Sequence, residues 1–387
     1  MRVGVDATSW VNRRGFGRFT RNVVRRLVEL DQQTTYVLIV DDATAGEADF
    51  PEAADRLVVR LSRPPSQAAA ADSSRAPLDV LRLTRAARRA KLDAFLFTSV
   101  YTWFPVPGIP SVVGVHDTIA DDFPELTFPD RRARLLWRVK EGAAVQTASV
   151  VFTVSETSRR ALAARLGRPP ERLPVVPEAP DPVFAPQPPE RVAAARASVG
   201  LAADQPYVLY WGGISPHKNV ETLLQGFAAL GDGTRLVVVG DLERETYVSS
   251  AADVRQRIAD LEIGGRVLLP GFVSDDVLAG LATGAAAVAL PSLAEGFGLP
   301  AVEAAACGAP LVLSDLPAHR ESVGDAALFF PPRDAIALTN ALMSVLGSAE
   351  LRASLSARAR AAVAPLTWDA AAEQVRELLE QAVGPRG

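Results

Sequence analysis

The sequence predicts an α/β protein of two doubly wound domains, each a parallel sheet covered by helices on both faces. Three observations predict it. Short apolar runs recur along the chain, each followed by a turn and then a helical pattern. A proline cluster interrupts this series near the middle. And 387 residues are too many for one ordinary core but about right for two.

The runs of the first half are Val3-Gly-Val5, Tyr36-Val-Leu-Ile-Val40, Leu57-Val-Val59, Ala94-Phe-Leu-Phe97, Val112-Val-Gly-Val115 and Val150-Val-Phe-Thr-Val154. Those of the second are Tyr207-Val-Leu-Tyr210, Leu236-Val-Val-Val239, Val267-Leu-Leu269, Ala287-Val-Ala-Leu290 and Leu311-Val-Leu313. They are continuous rather than alternating, which is the pattern of strands buried on both faces of a parallel sheet. Helical spacing holds between them: Phe19, Val23, Val24, Leu27 and Val28 form one apolar stripe. Such alternation argues for right-handed strand–helix–strand units.

The prolines crowd between Pro169 and Pro189. Each removes a backbone donor and fixes φ, so the stretch is neither helix nor central strand and reads as a linker. The expected domains are therefore 1–185 and 200–365. The segment 368–387 opens with an amphipathic helix, Trp368 to Ala382, whose partner the sequence leaves open, the N-terminal domain being the candidate. Pro64 to Pro77, rich in Ala and Ser, reads as a flexible surface loop. Open parallel sheets bind ligands beyond the carboxyl ends of their strands, where the polar and glycine-rich clusters fall, so the expected site is a cleft between the domains.

Composition narrows the function classes. With 48% hydrophobic and 22% charged residues the balance is that of a soluble enzyme. A net charge of −4 gives no global basic field to recruit nucleic acid. The single cysteine, Cys307, excludes an internal disulfide framework and suits a reducing cytosol. No run approaches the ~18 apolar residues of a membrane span, and Arg2-Val-Gly-Val-Asp6 reads as a strand rather than a signal peptide. A cytoplasmic protein is expected. The basic run Arg131, Arg132, Arg134, Arg138, Lys140 reads most simply as a solvated helix face, with a weak contact at the inner face of the membrane as the sharper alternative. There is no D-x-D triplet and no His/Cys metal spacing, so neither metal nor cofactor is expected; nucleophile-elbow and P-loop patterns are absent too.

Four clusters carry chemistry. Glu295-Gly-Phe-Gly-Leu-Pro-Ala-Val-Glu303 follows a strand and opens a helix, Ala301 to Cys307. Its glycines let the backbone approach a ligand, and a helix start offers free N–H groups and partial positive charge to a diphosphate. Glu295 precedes the turn and Glu303 lies within the helix, so the two carboxylates could reach different hydroxyl-bearing parts of one extended ligand. Trp211-Gly-Gly-Ile-Ser-Pro-His-Lys-Asn219 places Lys218, with Gly212 and Gly213, just before the helix Val220 to Leu230: a cation beside free N–H groups. Arg13-Arg-Gly-Phe-Gly-Arg-Phe19 places Gly15, Gly17 and Arg18 after the first strand. Val115-His116-Asp117-Thr118 sets a His-Asp step at a strand's carboxyl end, and Ser155-Glu156 follows another strand.

These segments resemble the retaining glycosyltransferases of the GT-B fold, specifically glycosyltransferase family 4. Glu295 to Glu303 is similar to the family's E-x7-E motif, and Ala304-Ala-Ala-Cys-Gly-Ala-Pro310, Ser314-Asp-Leu-Pro-Ala-His-Arg-Glu321 and Gly324-Asp-Ala-Ala327 extend the similarity. The resemblance implies two Rossmann-like domains facing across a cleft, the first for the acceptor and the second for a nucleotide sugar. It implies that Glu295 contacts donor-sugar hydroxyls, that Glu303 binds the ribose, and that backbone amides at Phe297, Gly298 and Leu299 hold the donor. It supports Lys218 on the diphosphate and sets His116 against the donor sugar. Gly15, Gly17 and Arg18 match its G-G-I-G-R-Y element, with Arg14 in place of a glycine. Asp117, Arg18, Ser155 and Glu156 are assigned to the acceptor side, Ser155 and Glu156 with a structural role equally open. Many relatives carry Arg at the positions of Gly213 and His217, so the diphosphate clamp is either weaker here or partly carried by His217.

The implied reaction is transfer of a hexosyl group, mannosyl favoured, from a nucleoside diphosphate sugar to an acceptor hydroxyl of a glycan or lipid-linked acceptor, with retention. GDP-mannose is the leading donor, and UDP- and dTDP-sugars are the others. Two other classes stay open: a nucleotide-sugar epimerase of the same fold, and a non-catalytic binding or scaffold protein.

Overall fold

The computed structural model describes residues 1–12, 15–47, 49–62, 75–241 and 251–384. Arg13 and Arg14 of the glycine loop, and residues 63–74 of the Ala/Ser-rich segment, lie outside the described residues. The chain divides into two compact units, Met1–Glu178 together with Thr367–Gly387, and Ala179–Leu366.

In the first unit six parallel strands, β1 (Arg2–Asp6), β2 (Thr35–Asp41), β3 (Asp55–Val59), β4 (Ala94–Phe97), β5 (Ser111–Gly114) and β6 (Val150–Phe152), lie in the order β3-β2-β1-β4-β5-β6. Val5 pairs with Leu38 on one side and Leu96 on the other. All three are fully buried, as continuous apolar runs require when helices cover both faces. The chain leaves β1 in one direction and returns to β4 in the other, so the switch point lies between β1 and β4.

The second unit repeats the plan. Its strands β7 (Tyr207–Trp211), β8 (Arg235–Val239), β9 (Val267–Gly271), β10 (Ala287–Leu290), β11 (Leu311–Ser314) and β12 (Ala327–Phe330) are ordered β12-β11-β10-β7-β8-β9. Its switch point lies between β7 and β10. The strand β12 has no counterpart among the runs picked from the sequence. It is an edge strand whose four residues, Ala327-Leu-Phe-Phe330, are all apolar, so its signal was there to be read.

The proline-rich stretch is more than a linker. Thr153 bridges in parallel to Val175, with Thr153 N–H donating to Pro174 O at 2.9 Å and Val176 N–H to Thr153 O at 2.8 Å. Leu173, Val176, Ala179 and Phe184 are buried. Proline is tolerated there because the segment pairs only along an edge.

The last helix, Trp368–Val383, packs in the first unit on the helix Gly15–Leu30. Trp368 meets Phe19 edge-on, 5.7 Å between centroids, and Arg26 donates Nε and Nη2 to the two Asp369 oxygens at 2.5 and 2.9 Å. Thr367 caps its start, and Ala371, Ala372, Val375 and Leu379 turn inward. Burying each large aliphatic is worth about 1.5–3 kcal/mol, which ties the chain's end to its beginning. No described helix is long and apolar enough to cross a membrane.

Candidate active site

In the second unit the loops after β7 and β10, on either side of the switch point, are stapled together. Asn219 donates Nδ2 to Pro291 O at 2.9 Å and to Pro332 O at 2.6 Å, and its Oδ1 accepts from Thr222 Oγ1 at 2.9 Å. Leu293 N–H donates to His217 O at 2.7 Å. The Tyr210 hydroxyl donates to Gly213 O at 2.6 Å, fixing the Gly212–Gly213 turn. Burial then holds the Tyr210 phenol above its ordinary range, with the Glu295 charge adding to the effect.

This frame brings Lys218 onto Glu295. Nζ donates to Oε1 at 2.7 Å and Oε2 at 2.9 Å, and Ser292 Oγ donates to Oε1 at 2.6 Å. Burial alone would raise the Glu295 carboxyl. The Lys218 ammonium, the nearby His319 and the hydrogen bonds from Lys218 and Ser292 outweigh it and bring it down to about 2. Glu295 is therefore a carboxylate through the physiological range. An ammonium has three donors and a carboxylate about four lone-pair sites, so the pair retains roughly one N–H and one acceptor site for a ligand.

From Glu295 the chain turns through Gly298, at φ +91°, into the helix Leu299–Ala306. No side chain caps this start; Pro300 has no N–H and Ala301 N–H donates to Gly298 O at 2.8 Å, which leaves the Leu299 N–H of the first turn for a ligand. Phe297 and Leu299 anchor the turn by burying their side chains. Gly298 is required twice over: its φ is left-handed, and a Cβ there would stand 3.0 Å from His319 Cδ2. His319 is fully buried, donates Nδ1–H to Ser314 O at 2.8 Å, and has no partner at Nε2. Burial holds its imidazole below its usual value. The remaining motif carboxylate, Glu303, is buried within the same helix.

In the first unit His116 sits beyond β5. It donates Nε2–H to Thr98 O at 2.7 Å, meets the Phe19 ring at 4.9 Å, and turns Nδ1 toward Glu178 Oε1 at 3.6 Å. Burial lowers its pKa to about 4, against the hydrogen bond to Thr98, so it is a neutral imidazole at pH 7. Asp117 Oδ1 accepts from Ile119 N–H at 2.9 Å. Ser155 is the N-cap of the helix Glu156–Leu166, its Oγ accepting from Ser158 N–H at 2.9 Å, while Glu156 pairs with Arg159 at 2.5 Å. Gly15 and Gly17 lie in the first turn of Gly15–Leu30, and Arg18 is buried in the same helix. A Cβ on Gly17 would stand 2.1 Å from Asn12 O, so helix-to-loop packing alone demands that glycine.

The structure thus brings Lys218, Glu295, Phe297, Gly298 and Leu299 together. His116, Asp117, Ser155, Glu156, Gly15, Gly17 and Arg18 belong to the other unit. Ser292, Asn219 and His319 were not singled out from the sequence. Asn219 and His319 stand inside quoted motifs and Ser292 three residues ahead of one, but only the folded loops show which atoms they serve.

Two six-stranded parallel sheets of one strand order define the GT-B glycosyltransferase fold. The structure of Anabaena HepE in complex with UDP-glucose shares it, with a TM-score of 0.76 at 20% identity over 98% of each chain. The chain belongs to the group 1, family 4 glycosyltransferases: residues 13–184 match "Glycosyltransferase Family 4" and residues 192–362 match "Glycosyl transferases group 1". It is 29% identical to O-antigen chain mannosyltransferase B of Escherichia coli over 260 residues, 67% of either chain. It is 33% identical to the D-inositol 3-phosphate glycosyltransferase of Xylanimonas cellulosilytica over 196 residues, 50% of this chain and 46% of the relative, so the match spans about half of that relative's length.

Proposed function

We propose that this glycosyltransferase moves a hexosyl group, mannosyl first among them, from a nucleoside diphosphate sugar to an acceptor hydroxyl with retention, in the building of a cell-surface polysaccharide or glycoconjugate. The observation that carries it is the Lys218–Glu295 pair beside an uncapped helix start. Lys218 and the Leu299 N–H at the helix start answer the charge that develops on the leaving diphosphate, with no metal needed. Glu295 orients a sugar hydroxyl, Glu303 holds the ribose, and the departing phosphate helps take the acceptor proton on the same face of the sugar. Glu295 is already committed to Lys218 and Ser292, which suits positioning better than nucleophilic attack. In this reading His116 is a neutral contact to the sugar. The mannosyltransferase relative favours GDP-mannose, and the neighbour solved with UDP-glucose makes that the second donor.

The test is a panel of GDP-, UDP- and dTDP-sugars scored by protection from thermal unfolding, then by turnover with and without EDTA. The matching donor should protect the wild type and fail to protect a Lys218→Gln variant. Conversion of the donor without any acceptor would replace transfer by epimerisation, and turnover abolished by EDTA would end the metal-free mechanism.

A second reading concerns place. The helix Arg131–Thr147 leaves Leu135, Leu136 and Val139 exposed beside Arg131, Arg132, Arg134 and Arg138. Apolar side chains rimmed by arginines suit the anionic inner face of a membrane, and we propose a cytoplasmic enzyme held there peripherally. Sedimentation with vesicles should require anionic lipid and weaken in Leu136→Glu.

A further inference from the structure

A guanidinium is costly to bury, and proteins keep one inside where acceptors take its five N–H groups. Arg75 departs from that rule. Its side chain is only 7% exposed, yet Nε and Nη1 have no hydrogen-bond partner. Nη2 donates to Thr8 Oγ1 at 2.6 Å and stands 3.4 Å from Asp6 Oδ2. Asp6 is shared, since its other oxygen accepts from Thr8 N–H and Oγ1 at 3.1 and 2.7 Å. The guanidinium carbon lies 5.4 Å from the centre of the Phe104 ring.

A second cation is near enough for the two charges to act on each other. Lys140 donates Nζ–H to Tyr101 O at 2.5 Å from the helix Arg131–Thr147. Burial first, then the positive charge of Arg75, lower its ammonium to about 7, with Asp6 opposing them. Arg75 is also held below its ordinary value by burial, against Asp6, Asp41 and Asp79. Two of those carboxylates are engaged elsewhere: Asp41 accepts from Thr44, and Asp79 from Ser62 and Arg82. Asp6 is thus the carboxylate that acts on both cations. Asp6 ends β1 and Tyr101 follows β4, so the cluster lies at this unit's switch point, beyond the carboxyl ends of its strands.

We propose that Arg75 and Lys140 form an anion subsite in the first unit, built for a phosphate group carried by the acceptor. Phosphate fits better than carboxylate, because three terminal oxygens can meet two guanidinium N–H groups and the ammonium together. Bound phosphate offsets the repulsion between the cations and satisfies the open Nε and Nη1 of Arg75. The subsite rests on reading the chain as a transferase with an acceptor at its first unit, while donor binding uses Lys218 and Glu295. The phosphate belongs either to a soluble sugar or polyol phosphate or to a lipid-linked phosphate.

The test is calorimetry of inorganic phosphate on the full chain at constant ionic strength, with chloride as the control. Arg75→Gln and Lys140→Gln should each weaken binding at least tenfold, whereas Lys218→Gln retains it and Arg75→Lys, which keeps the charge but not the fork, loses less than Arg75→Gln. Binding kept by the first two variants and lost in Lys218→Gln overturns the proposal, because the donor's own diphosphate seat would then be the site. Should Arg75→Gln unfold, Lys140→Gln and Arg75→Lys carry the comparison. Parallel titrations with a soluble hexose phosphate and with vesicles containing a polyprenyl phosphate identify the source, and binding of neither overturns the subsite. Nucleotide-sugar protection, read on the same proteins, reports separately on the donor. If no sugar nucleotide protects while Arg75-dependent binding persists, the transferase reading falls and the anion subsite stands.

Discussion

The two units share a strand order but treat their buried charges in opposite ways. In the second, Lys218, Glu295 and Ser292 satisfy one another, so the site is electrically complete before any ligand arrives. In the first, a neutral His116 faces Glu178, and Arg75 keeps donors open beside a depressed Lys140. A paired site is held at little cost and is preorganised for one recurrent group, the diphosphate. A site with open donors is kept against stability and is worth keeping only where a ligand closes it.

The largest test of this contrast is Lys218→Met. If the pair is the keystone of the second unit, its loss leaves a buried carboxylate alone and costs about 3–5 kcal/mol in denaturant unfolding. Turnover should fall a hundredfold or more. The double variant Lys218→Met/Glu295→Gln should recover most of the stability and none of the turnover. A single variant as stable as wild type would show that the second unit is not charge-paired in the sense argued.

On the other side stands His116. Its folded pKa of about 4 lies below the ordinary 6.5, because burial disfavours the charged ring. Between those values the unfolded chain binds a proton that the folded one refuses, so stability declines as pH falls from about 6.5 to 4 and then levels off. The full loss is on the order of 3 kcal/mol. His116→Gln should remove its share of that slope in thermal melts taken across the window, leaving the share of His319. Glu295 has the opposite history: its lowered pKa stabilises fully above about 4.5 and loses that contribution only as pH approaches 2. Between pH 6.5 and 4.5 the decline should therefore come from the two buried imidazoles, His116 of the first unit and His319 of the second, and Glu295→Gln should leave the His116 share in place.

Much of this was legible in the sequence, for reasons that differ between the units. Strands announce themselves as apolar runs, which is why β1 to β11 stand out; the edge strand β12, Ala327-Leu-Phe-Phe330, carries the same signal at the end of a quoted motif. Lys218, Glu295 and Gly298 are legible because a diphosphate seat needs a cation, a tight turn and a helix start in close sequence. The staples are not: Asn219 reaches Pro332, 113 residues away, and His319 supports Gly298 from another element. Arg75 and Lys140 come near each other only through the fold, and Arg75 lies in the segment Pro64 to Pro77 whose composition read as a flexible surface loop, although its side chain is buried. Pairing Thr153 with Val175 likewise depends on edge geometry that a run of prolines conceals.

A smaller effect sharpens the second unit further. Gly298→Ala forces φ +91° on a residue with a Cβ and pushes that atom to 3.0 Å from His319 Cδ2. The backbone part costs about 1–2 kcal/mol. Donor protection should fall further than stability does, because the amides of the turn move with it. Equal losses of both would mean that the turn serves only the core.

The smallest effect decides what Ser155 is for. As an N-cap its Oγ takes the Ser158 amide at 2.9 Å, so Ser155→Ala should cost about 1 kcal/mol and Ser155→Asp, another good cap, almost nothing. A pure cap leaves the acceptor KM of both variants within about twofold of wild type, since roughly 1 kcal/mol of stability does not change a folded site. An acceptor contact behaves otherwise: Ser155→Asp would then raise KM strongly while keeping its stability, because a carboxylate would stand where a phosphate-bearing acceptor is proposed to approach. That divergence between stability and KM would extend the open, ligand-awaiting character of the first unit from Arg75 and Lys140 to the start of the helix Glu156–Leu166.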